Sequence, residues 1–169
     1  MAETYKFLPE KKVLKQGFYL TDENEKIVYE AKMLKQPLFG AMEFEFVNHI
    51  TNKTTPHKVG KTVTSQISGG IADVFSRKSR FKLDGVNVWD YLHEQGVRID
   101  SHLSGGKLGM TYNVTLKGQP LATIASSTPK GKAIVTSAFV YDVTAEEKDL
   151  DLAFLCTFAI ARTDQTFYS

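Results

Sequence analysis

Leu152-Ala-Phe-Leu-Cys-Thr-Phe-Ala-Ile-Ala161 is the stretch that decides how this chain folds, and Thr157 is its only polar residue. As a helix, ten residues at about 1.5 Å each reach about 15 Å. A bilayer's hydrocarbon core is about 30 Å thick, so the stretch is too short to cross it. Steps of about 100° carry its apolar side chains to every face. A helix that is apolar all round has to be enclosed on all sides. Upstream, Thr144-Ala-Glu-Glu147 has capping-box spacing, and Glu146 and Glu147 suit the positive end of a helix dipole. These signals predict a helix from about residue 145 to about 161, with Arg162 near its negative end.

Something must surround that helix, and the rest of the chain reads as short strands. Gly17–Thr21 and Lys26–Ala31 flank Asp22-Glu-Asn-Glu25, a hairpin with a polar loop. Met42, Phe44 and Phe46 alternate with Glu43 and Glu45, the mark of a strand with one buried face. Asn52 to Pro56 reads as a polar turn, and His57–Ile67 and Ile71–Leu83 as strands around Gly69-Gly70. Asn87 can cap a short helix that ends at Gly96. Val97–Leu103, Met110–Leu116, Pro120–Ala125 and Ile134–Val143 complete the strands, with Lys117-Gly118 as a turn. About ten strands and one enclosed helix predict a mainly β fold: a closed antiparallel β-barrel wrapped around its C-terminal helix. A barrel of more than eight strands has interior room for a helix about 10–12 Å wide. The 169 residues suffice for one domain, taken as residues 1–169, with a core that needs no disulfide or metal.

The order of these segments resembles the tubby C-terminal-like superfamily, which includes the LURP-one-related proteins and the phospholipid scramblases. The likeness to the LURP-one-related branch is carried by Phe18-Tyr-Leu-Thr-Asp22 with Ile27-Val-Tyr-Glu-Ala-Lys32, then Gly60-Lys-Thr62, then Ser79 through Leu92, and finally Asp149 through Ala161. The resemblance spans nearly the whole chain. It implies a barrel threaded by its last helix, cytoplasmic residence in bacterial members and no established enzyme activity for most of them, and the expectation for this chain is no enzyme activity and no cofactor. Tubby domains bind phosphoinositide headgroups through basic side chains on the barrel exterior, including a Lys-x-Arg pair whose spacing Lys78-Ser79-Arg80 matches. Scramblases add a calcium-binding segment, and no acidic loop of that spacing is found here.

Charge is unevenly spread. Residues 52–82 hold seven basic groups against Asp73 alone, a net +6, whereas the whole chain is at +2. So small an overall charge sets up no field that attracts nucleic acid. Within the basic stretch, alternation puts Lys78, Arg80 and Lys82 on one face of a strand, with Lys58 and Lys61 expected on a neighbour. Lysine meets a phosphate as a point charge and arginine as a fork. The five residues form the candidate site for an anionic headgroup. The plainer role is a solvated edge strand whose lysines block aggregation.

Other chemistries find little footing. His49, His57, His93 and His102 lack metal-site spacing, and the single Cys156 excludes a disulfide framework. No Gly-x-Ser-x-Gly elbow occurs, and Ser104-Gly-Gly-Lys-Leu-Gly lacks P-loop spacing. Trp89-Asp90 occurs once, without the repeats of a propeller, and Glu43 and Glu45 sit on the wet face of their strand. The N-terminal residues carry no apolar leader, so the expected location is cytoplasmic, peripheral at a membrane where lipid is bound. The expected function is non-enzymatic binding of an anionic lipid headgroup or another phosphate-bearing ligand. The alternative is a scaffold contacting other proteins. A lipocalin-like cavity is disfavoured because the helix would occupy it.

Overall fold

The computed structural model describes residues 2–11, 16–35, 42–59, 82–103, 110–127 and 140–168. Its strands are β1 (Glu3–Lys11), β2 (Gln16–Thr21), β3 (Ile27–Lys35), β4 (Met42–Asn48), β5 (Lys53–Val59), β6 (Lys82–Leu83), β7 (Val86–Asn87), β8 (Val97–Leu103), β9 (Met110–Leu116), β10 (Gln119–Ser127) and β11 (Val140–Ala145). Helix α1 spans Val88–Glu94 and helix α2 Leu150–Tyr168. All eleven strands join one antiparallel sheet in the order β7-β6-β5-β4-β3-β2-β1-β11-β10-β9-β8.

The two end strands of that row are consecutive in sequence. Only α1 and a two-residue turn separate β7 from β8. Seven helical residues reach about 10 Å, so the row curls until its ends lie one short helix apart. Among the described residues no ladder joins β7 to β8. The expected closure into a barrel is thus not seen among the described residues: the sheet is open between β7 and β8, whose chain connection is α1 and its turn.

The concave face holds α2. Phe154 packs against Phe7, Tyr29 and Phe46, with ring centroids 5.6, 4.3 and 5.4 Å away. One turn on, Phe158 meets Phe18, Phe44 and Phe46 at 5.6, 5.5 and 5.1 Å. These partners come from β1 to β4, where period-two alternation turns every second residue inward. On the opposite side of the helix, Cys156 and Ala159 are fully buried as well. The helix backbone comes nearest to β10 and β11, where small side chains permit close approach. Thr157, buried in the middle, donates its hydroxyl to the Ala153 carbonyl at 2.8 Å. That bond satisfies the one polar group in the apolar stretch. Leu152 and Leu155 depart from the expected full burial: both are half-buried, so the first turns of α2 are covered less completely on that side.

Local signals held where the chain needs only its neighbours. The β2–β3 hairpin turns at the expected loop. Asn87 caps α1 by accepting from the Trp89 and Asp90 N–H groups at 3.0 Å, and Gly96 takes the left-handed φ of +86° that ends it. Lys117 and Gly118, both at positive φ, form the two-residue turn of the β9–β10 hairpin.

Two readings need correction. The capping box does not form. Thr144 belongs to β11, its hydroxyl 3.1 Å from that of Thr4 on β1. The chain passes through a 3-10 turn at Glu147–Asp149 before α2 starts at Leu150, and α2 continues past Arg162 to Tyr168. Residues 52–56 are not a turn throughout: β5 begins at Lys53 and includes Pro56. Pro56 faces outward, opposite Glu45 on β4, and β6 pairs with β5 only at Val59. A missing N–H is tolerated there because that side of β5 carries no ladder bond among the described residues. The strand readings for 60–81 and 128–139 lie outside the described residues.

If α2 is enclosed, a carboxylate at Phe154 or Phe158 has no route to water. Phe154→Asp or Phe158→Asp should each cost several kcal/mol from desolvation and lost packing, enough to unfold a domain stable by about 5–15 kcal/mol. Leu155→Asp, at a half-buried position, should fold with a lowered melting temperature. Thermal melts of the three variants check this ranking. Near-wild-type melting of Phe158→Asp would mean that the helix has a wet face.

Candidate functional site

The basic strand region begins where β5 meets β6. Along β5, Thr55, His57 and Val59 turn toward the core while Thr54, Pro56 and Lys58 face out. Val59 is fully buried and stands opposite Leu83 of β6. This register brings Lys58 and Lys82 onto adjacent strands, at diagonal positions of one face. Of the five candidate residues, Lys58 is placed and exposed, and Lys82 is placed by its backbone as the first residue of β6. Lys61, Lys78 and Arg80 lie outside the described residues.

Two acids moderate the charge beside Lys58. Glu43 is its partner on β4. On the other side, Asp84 Oδ1 accepts the Lys58 backbone N–H at 2.7 Å, and the Asp84 N–H donates to the Lys58 carbonyl at 2.8 Å. Asp84 and Gly85 both have positive φ, as the two-residue turn between β6 and β7 requires. A Cβ on Gly85 would meet nothing within 4 Å, so the left-handed backbone alone selects glycine there.

The second oxygen of Asp84 lies 2.6 Å from His57 Nδ1. His57 is itself packed edge-on against Phe46, centroids 4.5 Å apart. A carboxylate held on one imidazole nitrogen orients the ring and fixes its tautomer. Base catalysis would also need a reactive group at the other nitrogen. Among the described residues no hydroxyl or thiol is hydrogen-bonded to His57. The pair works as a staple that ties the β6–β7 hairpin, and through it α1, to β5. Its residues are 27 positions apart, and no local signal in the sequence joins them.

A second polar knot sits at the other end of the sheet. Asp151, in the first turn of α2, accepts the Tyr29 hydroxyl at 2.8 Å and the Asn48 amide at 3.2 Å. Asn48 Oδ1 in turn accepts the Ile50 and Thr51 N–H groups of the β4–β5 turn. One carboxylate thus fixes the start of α2 against β3 and β4. Burial, and then the bond to Asp151, raise the Tyr29 phenol well above its ordinary range. Burial alone pushes the Cys156 thiol up to about 12, which makes it an inert core group, as its place in the apolar stretch predicts.

Among the described residues no group of three His, Cys, Asp or Glu side chains could hold a metal ion. No described helix is long and apolar enough to cross a membrane. Comparison of the chain with protein-family models, curated proteins and solved structures finds no match.

The raised groups set an alkaline limit. Tyr5, Tyr29 and Cys156 all have folded pKa values above their unfolded ones, Tyr5 at about 12. Each is neutral in the fold, so its contribution is intact below the unfolded values near 9–10 and is lost as pH rises from there toward the raised folded values. The loss approaches about 1.4 kcal/mol per pH unit per group. Urea midpoints should be level from pH 7 to about 8.5 and then fall steeply toward pH 11. Tyr29→Phe should lower the neutral-pH stability by about 1 kcal/mol and flatten the alkaline fall. An alkaline slope unchanged in Tyr29→Phe would contradict the placement of that hydroxyl.

Proposed function

We propose that this chain is a tubby-like, LURP-one-related barrel that acts as a non-enzymatic, cytoplasmic binding module for anionic lipid headgroups or another phosphate-bearing ligand. The observation that carries the fold half of this reading is a C-terminal helix buried on opposite faces, Phe154 and Phe158 on one and Cys156 and Ala159 on the other. The sheet around it has end strands one short helix apart. A central helix leaves no interior for a ligand, so binding falls to the outer surface.

The functional half rests on the basic stretch. Lys58, Lys61, Lys78, Arg80 and Lys82 are the proposed contacts, and the adjacency of β5 and β6 supports grouping them. Glu43 and Asp84 next to Lys58 weaken a site built on that lysine alone, so the reading leans on Lys61, Lys78 and Arg80, which lie outside the described residues. A protein-contacting scaffold is the second reading. It is favoured by Val86 and Tyr91, large apolar side chains left 52% and 41% exposed at β7 and α1.

Flotation with vesicles separates the two. The chain should float with vesicles containing phosphatidylserine or phosphoinositide and not with phosphatidylcholine alone, and binding should weaken steeply with salt. The variant K58A/K61A/K78A/R80A/K82A should lose most of it while keeping its melting temperature. Flotation by neither protein would turn the reading toward the scaffold.

A further inference from the structure

Among the described residues the row of strands is open between β7 and β8, and the segment Val86 to Gly96 crosses that seam. Crossing a seam is a different task from belonging to a ladder. The ladders β1–β2, β3–β4, β4–β5 and β8–β9 each run over six or seven residue pairs. β7 stops after two residues because the helix begins at Val88, and its ladder with β6 is Lys82↔Asn87 and Leu83↔Val86.

Helix α1 has seven residues. A helix shorter than about 12 residues is marginal in water even with a favourable sequence, so α1 persists because the rest of the fold holds it. Val88 and Leu92 do the holding. They lie about one turn apart, are 1% and 2% exposed, and belong to the same apolar core as Val59 and Val97. Asp90, Tyr91, His93, Glu94 and Gln95 are all exposed. The helix therefore commits one narrow stripe to the core, where α2 is buried on opposite sides. Few buried apolar contacts and an exposed outer face mark a segment that opens at low cost.

Both ends of the segment turn on glycine. Gly85 and Gly96 have φ of +81° and +86°, a backbone that glycine adopts without strain. Nothing lies within 4 Å of the place a Cβ on Gly85 would take, whereas Gly96 is held against Lys117, whose N–H donates to its carbonyl at 2.8 Å. Beyond each glycine the chain is fixed. Asp84 is tied to β5 through the Lys58 backbone and the His57 ring, and Val97 begins the β8–β9 ladder. A segment with two pivots and two fixed flanks can move without carrying its neighbours along.

We propose that Val86–Gly96 is a strap over the seam that opens as a unit while the sheet and α2 stay folded. Opening breaks the two β6–β7 pairs and lifts Val88 and Leu92 out of the core, and every longer ladder stays made. The freed segment loses its helix, since seven residues cannot keep one alone. Val88 and Leu92 then join Val86 and Tyr91, so the open form offers an apolar surface that the closed form hides. This device stands whichever ligand the chain takes.

Native-state hydrogen exchange of the full chain, repeated across sub-denaturing urea, tests the strap. Amides of residues 92–96, bonded within α1 and its C-terminal turn, report on it, and amides of residues 154–160 report on α2. After correction for intrinsic rates, residues 92–96 should exchange about 100-fold or more faster than residues 154–160. Their rates should change little with urea, because opening bares little surface, while those of 154–160 climb steeply. Phe158→Leu should speed exchange at 154–160 and leave 92–96 as in wild type. Leu92→Ala should speed 92–96 by about tenfold or more. Val143→Ala on β11 replaces Phe158→Leu if that variant does not fold, and the wild-type urea series decides by itself if neither does. Equal rates and equal urea dependence in the two sets, or acceleration of both by Phe158→Leu, would show that the segment opens only with the whole fold and would overturn the strap. Exchange at 92–96 unmoved by Leu92→Ala would overturn it as well, since the amides would then exchange without the anchoring side chains leaving the core.

Discussion

Phe154 and Phe158 lie one turn apart on a helix whose other side, Cys156 and Ala159, is as dry as theirs. The rest of the structure answers to that constraint. Burying one face of a helix takes a single flat partner, but burying all of it takes a surface that comes round. Here one eleven-stranded antiparallel sheet, its inward positions alternating with outward ones, covers most of the helix and leaves Leu152 and Leu155 half-buried. Large rings from β1 to β4 fill one side, and β10 and β11 approach the small residues on the other. The helix and the sheet each supply the surface that buries the other's apolar side chains.

The polar groups inside follow the same logic. Thr157 bonds back to its own helix, and Asp151 gathers Tyr29 and Asn48 where α2 starts. These bonds add little net stability, but each would be costly to leave unmade. They fix the depth and rotation of the helix, which packing alone leaves less determined. The His57–Asp84 staple has a similar role at the sheet's other margin, where β6 and β7 are only two residues each and pair too briefly to hold themselves.

Much of this was legible because it is local. The apolar run 152–161, the Asn87 cap with Gly96, and the Lys117-Gly118 turn each need only neighbouring residues. The start of α2 was misread because Thr144, free to cap a helix by sequence, pairs instead with Thr4 some 140 positions away. Pro56 suggested a turn, but one side of β5 tolerates it. The His57–Asp84 and Tyr29–Asp151 contacts join distant segments and left no trace in spacing. The basic stretch was visible as composition, but the acids that flank Lys58, Glu43 on β4 and Asp84 in the β6–β7 turn, are brought to it only by the strand register.

The enclosed helix is the claim on which the fold and the functional reading both depend. Native-state hydrogen exchange on residues 153–161 tests it most directly. If the helix is surrounded, these amides exchange only through global unfolding, with protection equal to the full unfolding free energy and shared with the inward strands β1, β2 and β4. Exchange of the same amides through a local opening several kcal/mol below that limit would show a helix lying on the sheet rather than within it, and would contradict the account.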